Sequence, residues 1–320
     1  MLETQIGTDI DHALALLKGG ELVAIPTETV YGLAGNGLDP KAIAKIYEAK
    51  QRPQFNPLIL HVASVDQAKK LVISIPEPFV KLMEMFSPGP ITYLLPKSDL
   101  VPDLVTAGSS RVAIRIPNHT VTLSLLSRLN FPLAAPSANP SGYVSPVSAA
   151  HVLEGLNGKI PYILEGGNCH VGLESTIVGI EDDSIIIHRL GAISAEQIRE
   201  LTGMRVETRL SHASPTAPGQ LKSHYATQKP LLLGDIEENY LEYRDKRIGV
   251  LAFRQSPSIL STAEIILSPK GDLAEAAAGL FAAMRQLDAS SAEIILAERF
   301  PDEGIGRAIN DRLDRAAYKG

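Results

Sequence analysis

Lys50-Gln51-Arg52-Pro53-Gln54-Phe55-Asn56-Pro57-Leu58-Ile59-Leu60-His61-Val62 joins a helix predicted over residues 39–49 to a buried strand predicted over residues 58–62. Asp39 suits the N-cap, and Pro40 falls at the first helical position, where a missing N–H costs nothing. Ala42, Ile43, Ile46 and Ala49 then recur at helical spacing. Lys50 and Arg52 therefore leave the helix C-terminus into a loop stiffened by Pro53 and Pro57. Two cations, the Asn56 amide and, one strand later, the His61 imidazole suit an oxyanion grip. They equally suit cations that complement the negative end of a helix dipole, and the stretch alone leaves both readings open.

The bulk composition narrows the field. A chain of 320 residues is long enough for two domains. Its 45% hydrophobic and 21% charged residues are ordinary for a globular protein. An aromatic share of 5% without tryptophan argues against a base-stacking platform. A net charge of -6 argues against a general nucleic-acid coat but allows a local basic pocket. The single cysteine, Cys169, excludes an internal disulfide and a multi-cysteine zinc site, and suits a reducing compartment. Met1-Leu2-Glu3-Thr4-Gln5 lacks the regions of a signal peptide, and the apolar run 273–284 is short and carries Glu275. A cytoplasmic protein without a membrane span is expected.

Outward from the opening stretch, strands and helices alternate, which predicts an α/β fold. Residues 22–25 read as a buried strand, followed by a polar, glycine-rich loop over 27–37 that opens into the 39–49 helix. No GxxxxGK[ST] is present, so a nucleotide would be held without that phosphate loop. The strand 111–116 places Arg111, Ala113 and Arg115 on one face. Two arginines roughly 7 Å apart suit a polyanion; a solvated sheet face is the equal alternative. Ser137-Ala138-Asn139 and Ser145 follow the strand 133–136, and a strand over 185–189 ends in Arg189. Small hydroxyls and an amide there suit phosphate contacts or an ordinary turn. Ser194 and Gln197 form a capping box. Cys169-His170 reads as structural, since adjacent residues make a poor nucleophile–base pair.

Residues 208–229 lose the pattern and read as an interdomain linker or lid. The remainder alternates strand and helix and predicts a small α/β domain with a parallel sheet. The expected organisation is a catalytic domain over 1–207, the linker over 208–229 and a smaller Rossmann-like domain over 230–320.

Four segments then act together: Pro26-Thr27-Glu28-Thr29-Val30-Tyr31-Gly32-Leu33, Lys50-Gln51-Arg52-Pro53, Asn56-Pro57-Leu58 and Ser137-Ala138-Asn139. Their combination resembles the YrdC/Sua family of L-threonylcarbamoyladenylate synthases over roughly residues 5 to 207. Pro218-Gly219, His224-Tyr225 and the ending Gly306-Arg307-Ala308-Ile309-Asn310-Asp311-Arg312-Leu313-Asp314-Arg315-Ala316-Ala317 look like the longer Sua-type members. Gln220 and Thr227 depart from the Met and Pro often seen there.

The resemblance implies a twisted mixed sheet with a basic concave pocket. It also implies a reaction of L-threonine, bicarbonate or CO2, and ATP with magnesium and no organic prosthetic group, giving threonylcarbamoyl-AMP and pyrophosphate. A downstream threonylcarbamoyl transferase would use the product on tRNA, with transient tRNA contact and no membrane. By position, Thr29, His61, Arg115, Ala135 and Ser175 would contact L-threonine. Arg52, Asn56, Arg111, Ser137, Ser145, Arg189 and Tyr225 would contact ATP. Lys50 and Arg52 would be catalytic, and Asn139 would help hold magnesium. A double-stranded RNA-binding module and a non-catalytic threonine or nucleotide sensor are the alternatives. Carbamoyl transfer for metallocentre assembly is disfavoured, because the larger proteins that perform it carry cysteine-rich zinc modules.

Overall fold

The computed structural model describes residues 3–210 and 224–318. The first part begins with β1 (Gln5–Gly7), α1 (Ile10–Lys18), β2 (Val23–Ile25), β3 (Gly32–Asn36), α2 (Pro40–Lys50) and β4 (Ile59–His61). It continues with α3 (Val65–Lys69), α4 (Glu77–Phe86), β5 (Ile91–Pro96), α5 (Asp103–Thr106), β6 (Arg111–Arg115), α6 (Thr120–Ser127) and β7 (Leu133–Ala134). It closes with α7 (Ala149–Leu156), β8 (Tyr162–Leu164), β9 (Thr176–Glu181), β10 (Ser184–Arg189), α8 (Ala195–Thr202) and β11 (Arg205–Thr208). The second part runs β12 (Leu231–Leu233), α9 (Ile236–Tyr243), β13 (Ile248–Ala252), β14 (Ala263–Ile266), α10 (Leu273–Ala289), β15 (Ile294–Ala297) and α11 (Gly306–Ala317).

The first eleven strands form one mixed sheet in the order β1-β8-β2-β3-β7-β4-β6-β5-β9-β10-β11. Parallel β4–β6 pairing sets His61 beside Arg115 and Ile59 beside Ala113. Because paired residues share a face, that register brings the imidazole and the guanidinium to one side of the sheet. Antiparallel β9–β10 pairing carries a register shift between Ile187 and Arg189. Ile185 and Ile187 point into the core. The bulge breaks this alternation, as bulges do, and Arg189 instead pairs with Ile177, a member of the small apolar cluster around Ile59 and Ala113.

The second sheet is wholly parallel, in the order β12-β15-β13-β14. One face packs against α9 through Ile236, Val250 and Leu296. The other packs against α10 and α11, whose inner residues join the first part's core in one continuous cluster. Gly172 makes this seam possible: a Cβ there would meet Ala277 O of α10 at 2.5 Å, and its φ of +74° favours glycine.

Several local expectations hold as drawn. Asp39 accepts from Lys41 N at the start of α2, which ends on a left-handed Gln51. Ser194 and Gln197 make both bonds of the capping box. Residues 32–36 differ: this glycine-rich stretch is strand β3, not a loop, paired with β2 and β7. Gly35 lets it lie against Leu22 and Ile46, where a Cβ would stand 2.9 and 3.3 Å from their side chains. Of the expected linker, Thr208 belongs to β11, and residues 211–223, including Pro218, Gly219 and Gln220, lie outside the described residues.

Candidate active site

Lys50, the last residue of α2, does not sit at a solvated helix end. It is 1% exposed, and its Nζ donates to Ser137 O and Asn139 O, each at 2.5 Å. The ammonium thereby ties the helix to the loop after β7. Arg52, one residue past the left-handed cap, folds its guanidinium onto its own loop: Nε donates to Asn56 O at 3.3 Å and Nη2 to Pro57 O at 3.0 Å. The proline-stiffened loop thus wraps a cation and holds it buried. Burial, then the neighbouring Arg52, push the Lys50 ammonium well below its usual range. Burial likewise brings Arg52 down to about 10.

Arg52, His61, Arg115 and Arg189 line one cavity, with Ala135 and Ser137 on its wall and Tyr225 beside them. These four side chains are each at most 7% exposed. Arg115 Nη2 stands 2.8 Å from Glu28 Oε2, yet neither group makes a bond of hydrogen-bond geometry through those atoms among the described residues. Buried polar atoms are normally satisfied, so this ion pair keeps hydrogen-bonding capacity in reserve. Arg189 donates through Nε to Ser175 O at 3.0 Å and through Nη2 to Ser175 Oγ at 2.9 Å. Burial and the nearby Arg115 lower His61 to about 3, so its imidazole is neutral at pH 7. Converging buried guanidiniums are chemically suited to bind an anion of high charge density.

Thr29 lies against the lining residue Thr27, their hydroxyl oxygens 2.9 Å apart. Ser145 Oγ donates to Glu174 Oε1 at 2.6 Å, and Glu174 lines the cavity. Asn56 is fully buried, with both amide atoms lacking hydrogen-bond partners among the described residues. Arg111 stands apart: it is not a lining residue, and its Nη1 pairs with Glu181 at 2.9 Å, where Arg209 also meets Glu181. Four residues along the strand from Arg115, it stands at the first residue of β6, where the end of β9 supplies the carboxylate. Cys169 is buried, and burial pushes its thiol up to about 12, in keeping with a structural role.

Tyr225 is 1% exposed and holds a φ of +64°, a left-handed conformation rare for a bulky residue. Ala226 N donates to Gly142 O at 2.8 Å, which fixes the chain just beyond it. His224 lines the cavity too, with an imidazole that burial lowers to about 3. The sequence pointed to Tyr225 but gave no task to Glu28, Glu174 or His224, although Glu28 and His224 stood inside the quoted segments. No local pattern distinguishes a buried carboxylate that faces an arginine from an exposed one.

Residues 15–191 match the family model Sua5_yciO_yrdC, described as telomere recombination. Residues 193–318 match the model of the threonylcarbamoyl-AMP synthase C-terminal domain. The threonylcarbamoyl-AMP synthase of Bacillus subtilis is 42% identical over 96% of this chain and 92% of its own length. That of Pyrococcus abyssi is 38% identical over 95% and 93%. The crystal structure of P. abyssi Sua5 complexed with L-threonine superposes with a TM-score of 0.91 at 36% identity, covering 99% of this chain and 97% of the other. With both models matched along nearly its whole length, the chain belongs to the threonylcarbamoyl-AMP synthase family in its two-domain form.

Proposed function

We propose that this protein condenses L-threonine, bicarbonate or CO2, and ATP into threonylcarbamoyl-AMP and pyrophosphate. The observation that carries the reading is the convergence of Arg52, Arg115, Arg189 and neutral His61 in one buried cavity, with Lys50 behind its wall. Such burial disfavours an RNA-binding face, which needs solvent-accessible cations to replace counterions.

L-threonine sits at the Arg115 end in this reading, where Arg115 takes its carboxylate and His61, Thr29, Ala135 and Ser175 surround the rest. The P. abyssi relative's complex with L-threonine supports threonine as a ligand. Neutral His61 then acts as a hydrogen-bonding partner and not as a cation. ATP lies along Arg52, Asn56, Ser137, Ser145, Arg189 and Tyr225; Arg111, paired with Glu181 outside the cavity lining, is left out of this contact set. The neutral amine nitrogen of threonine bonds to the carbon of bicarbonate and water leaves, giving a carbamate. A carbamate oxygen attacks the α-phosphorus, and the bond to the β-phosphate bridge breaks as pyrophosphate departs. Lys50 and Arg52 offset the charge gathered there. A carbamate is labile in water, so the burial under Tyr225 protects it and holds the reactants in line.

Magnesium fits as a nucleotide-borne ion. Asn139 Oδ1 is buried without a partner among the described residues, an oxygen of the type this hard cation takes. No cluster of three or more His, Cys, Asp or Glu suited to a metal occurs among the described residues, so phosphates would supply most of its coordination. When bound, the ion neutralises phosphate charge.

The product would pass to a transferase that modifies tRNA, in the cytoplasm; among the described residues no helix is long and apolar enough to cross a membrane. Purified protein with all four components is expected to release pyrophosphate only when threonine is present, and to yield the mass of threonylcarbamoyl-AMP. Threonine-independent release, or none, overturns the proposal.

A further inference from the structure

We infer that Arg312, on α11 of the C-terminal domain, is a positioning residue for the nucleotide half of the site: through Glu174 it sets Ser145, and with Phe281 it seats the ring of Tyr225. The inference rests on the functional reading above. Arg312 is fully buried, yet it belongs to the other sheet's layer. Its Nε donates to Glu174 Oε2 at 2.9 Å, and the second oxygen of Glu174 accepts the Ser145 hydroxyl. Its Nη2 donates to Leu190 O at 2.8 Å, next to Arg189. Its guanidinium lies 5.2 Å from the Tyr225 ring centroid, while Phe281 of α10 stacks on that ring at 5.4 Å.

A second arginine of the same domain works alongside: Arg285 Nη2 donates to Val144 O at 2.6 Å, holding the backbone beside Ser145. Tyr143 OH, one residue earlier, donates to Asp288 of α10 at 2.8 Å. The loop that presents Ser145 is thus pinned by C-terminal side chains in three places. On the threonine side the partners are different in kind. Arg115 meets Glu28, His61 meets Ile59 O, and Thr29 meets Thr27, all within the first domain. Ser145 and Tyr225 therefore lean on the C-terminal domain while Arg115, His61 and Thr29 do not, so damage at Arg312 should reach ATP and spare threonine.

The test uses the full chain with Arg312→Met, Arg312→Lys and Glu174→Gln. Arg307→Ala serves as control, since it breaks the exposed α11 pair with Glu196 and touches nothing in the cavity. KM for ATP and kcat come from pyrophosphate release, and calorimetry measures binding of L-threonine and of ATP separately. Arg312→Met and Glu174→Gln are expected to raise the ATP KM by about tenfold or more, with the threonine Kd within about twofold of wild type. Arg312→Lys, which keeps the charge and loses the planar fork, falls between them. Arg307→Ala gives wild-type values. Unchanged ATP affinity in the Lys and Gln variants overturns the inference even if the Met variant folds poorly; parallel loss of both ligands does so too, since it marks mere structural support. If the wild type binds both ligands without releasing pyrophosphate, the synthase reading fails, and the calorimetric split still decides this one.

Discussion

Glu28→Gln probes the physics of the threonine end directly. Glu28 and Arg115 face each other at 2.8 Å with side chains only 1% and 5% exposed. At an effective dielectric of about 20 their attraction is on the order of 6 kcal/mol. Removing one partner of such a buried pair costs about 3–5 kcal/mol, because the other charge is left buried and uncompensated. For a chain of this length that corresponds to a fall in Tm of about 5 °C. The carboxylate of L-threonine would replace the missing negative charge opposite Arg115. Ligand-induced stabilisation follows binding to the folded state, so saturating L-threonine should raise Tm more in the variant than in wild type. Thermal unfolding with and without L-threonine measures both quantities. A threonine-induced rise equal to or below that of wild type refutes the assignment of Arg115 as the carboxylate receptor.

Further outcomes follow from the same geometry. Lys50→Met removes a desolvated ammonium that sits beside Arg52, and should leave circular dichroism unchanged while lowering pyrophosphate release by about 100-fold or more; near-normal turnover would exclude Lys50 from catalysis. Folding stability should fall on acidification. His61 and His224, lowered to about 3, and His188, lowered to about 4, bind protons in the unfolded chain first as pH drops below about 6.5. Each then removes up to about 1.4 kcal/mol per pH unit until its folded pKa is reached. Glu174 acts in the same direction over a lower window: Arg312, Arg189 and the Ser145 hydroxyl overcome its burial and hold it at about 2, so its contribution is present above about 4.5 and lost toward 2. Denaturant titrations that show equal stability at pH 7 and pH 5 would contradict the histidine part. Gly172→Ala places a Cβ 2.5 Å from Ala277 O and strains a φ of +74°; it should cost about 1–3 kcal/mol and speed hydrogen exchange in α10, whereas wild-type exchange there would show that the seam yields without cost.

The sequence by itself determined the elements whose causes are local. Asp39 and Pro40 start α2, Ser194 and Gln197 box α8, and the alternation in β6 puts Arg111 and Arg115 on one face. The mostly alternating strands and helices after residue 230 pointed to a parallel sheet, which β12 to β15 form, although β13 passes to its parallel neighbour β14 without a helix. The motif segments pointed to the family, and the residues assigned through it include Arg52, His61, Arg115, Ala135, Ser137, Arg189 and Tyr225 of the cavity lining. What lay beyond reach depended on partners far along the chain. Residues 32–36 read as a loop because glycine hides strand pairing, and only the neighbours Leu22 and Ile46 explain why glycine is needed. Arg111 and Arg115 are alike in sequence, yet one meets the part-exposed Glu181 and the other Glu28 in the interior. Arg312 lies 138 positions from Glu174. Caps and periodicity are settled within a few residues of backbone, whereas the charge state, burial and reach of a side chain are settled by whatever the fold brings against it; here that decides which cations line the cavity and which of its residues lean on the C-terminal domain.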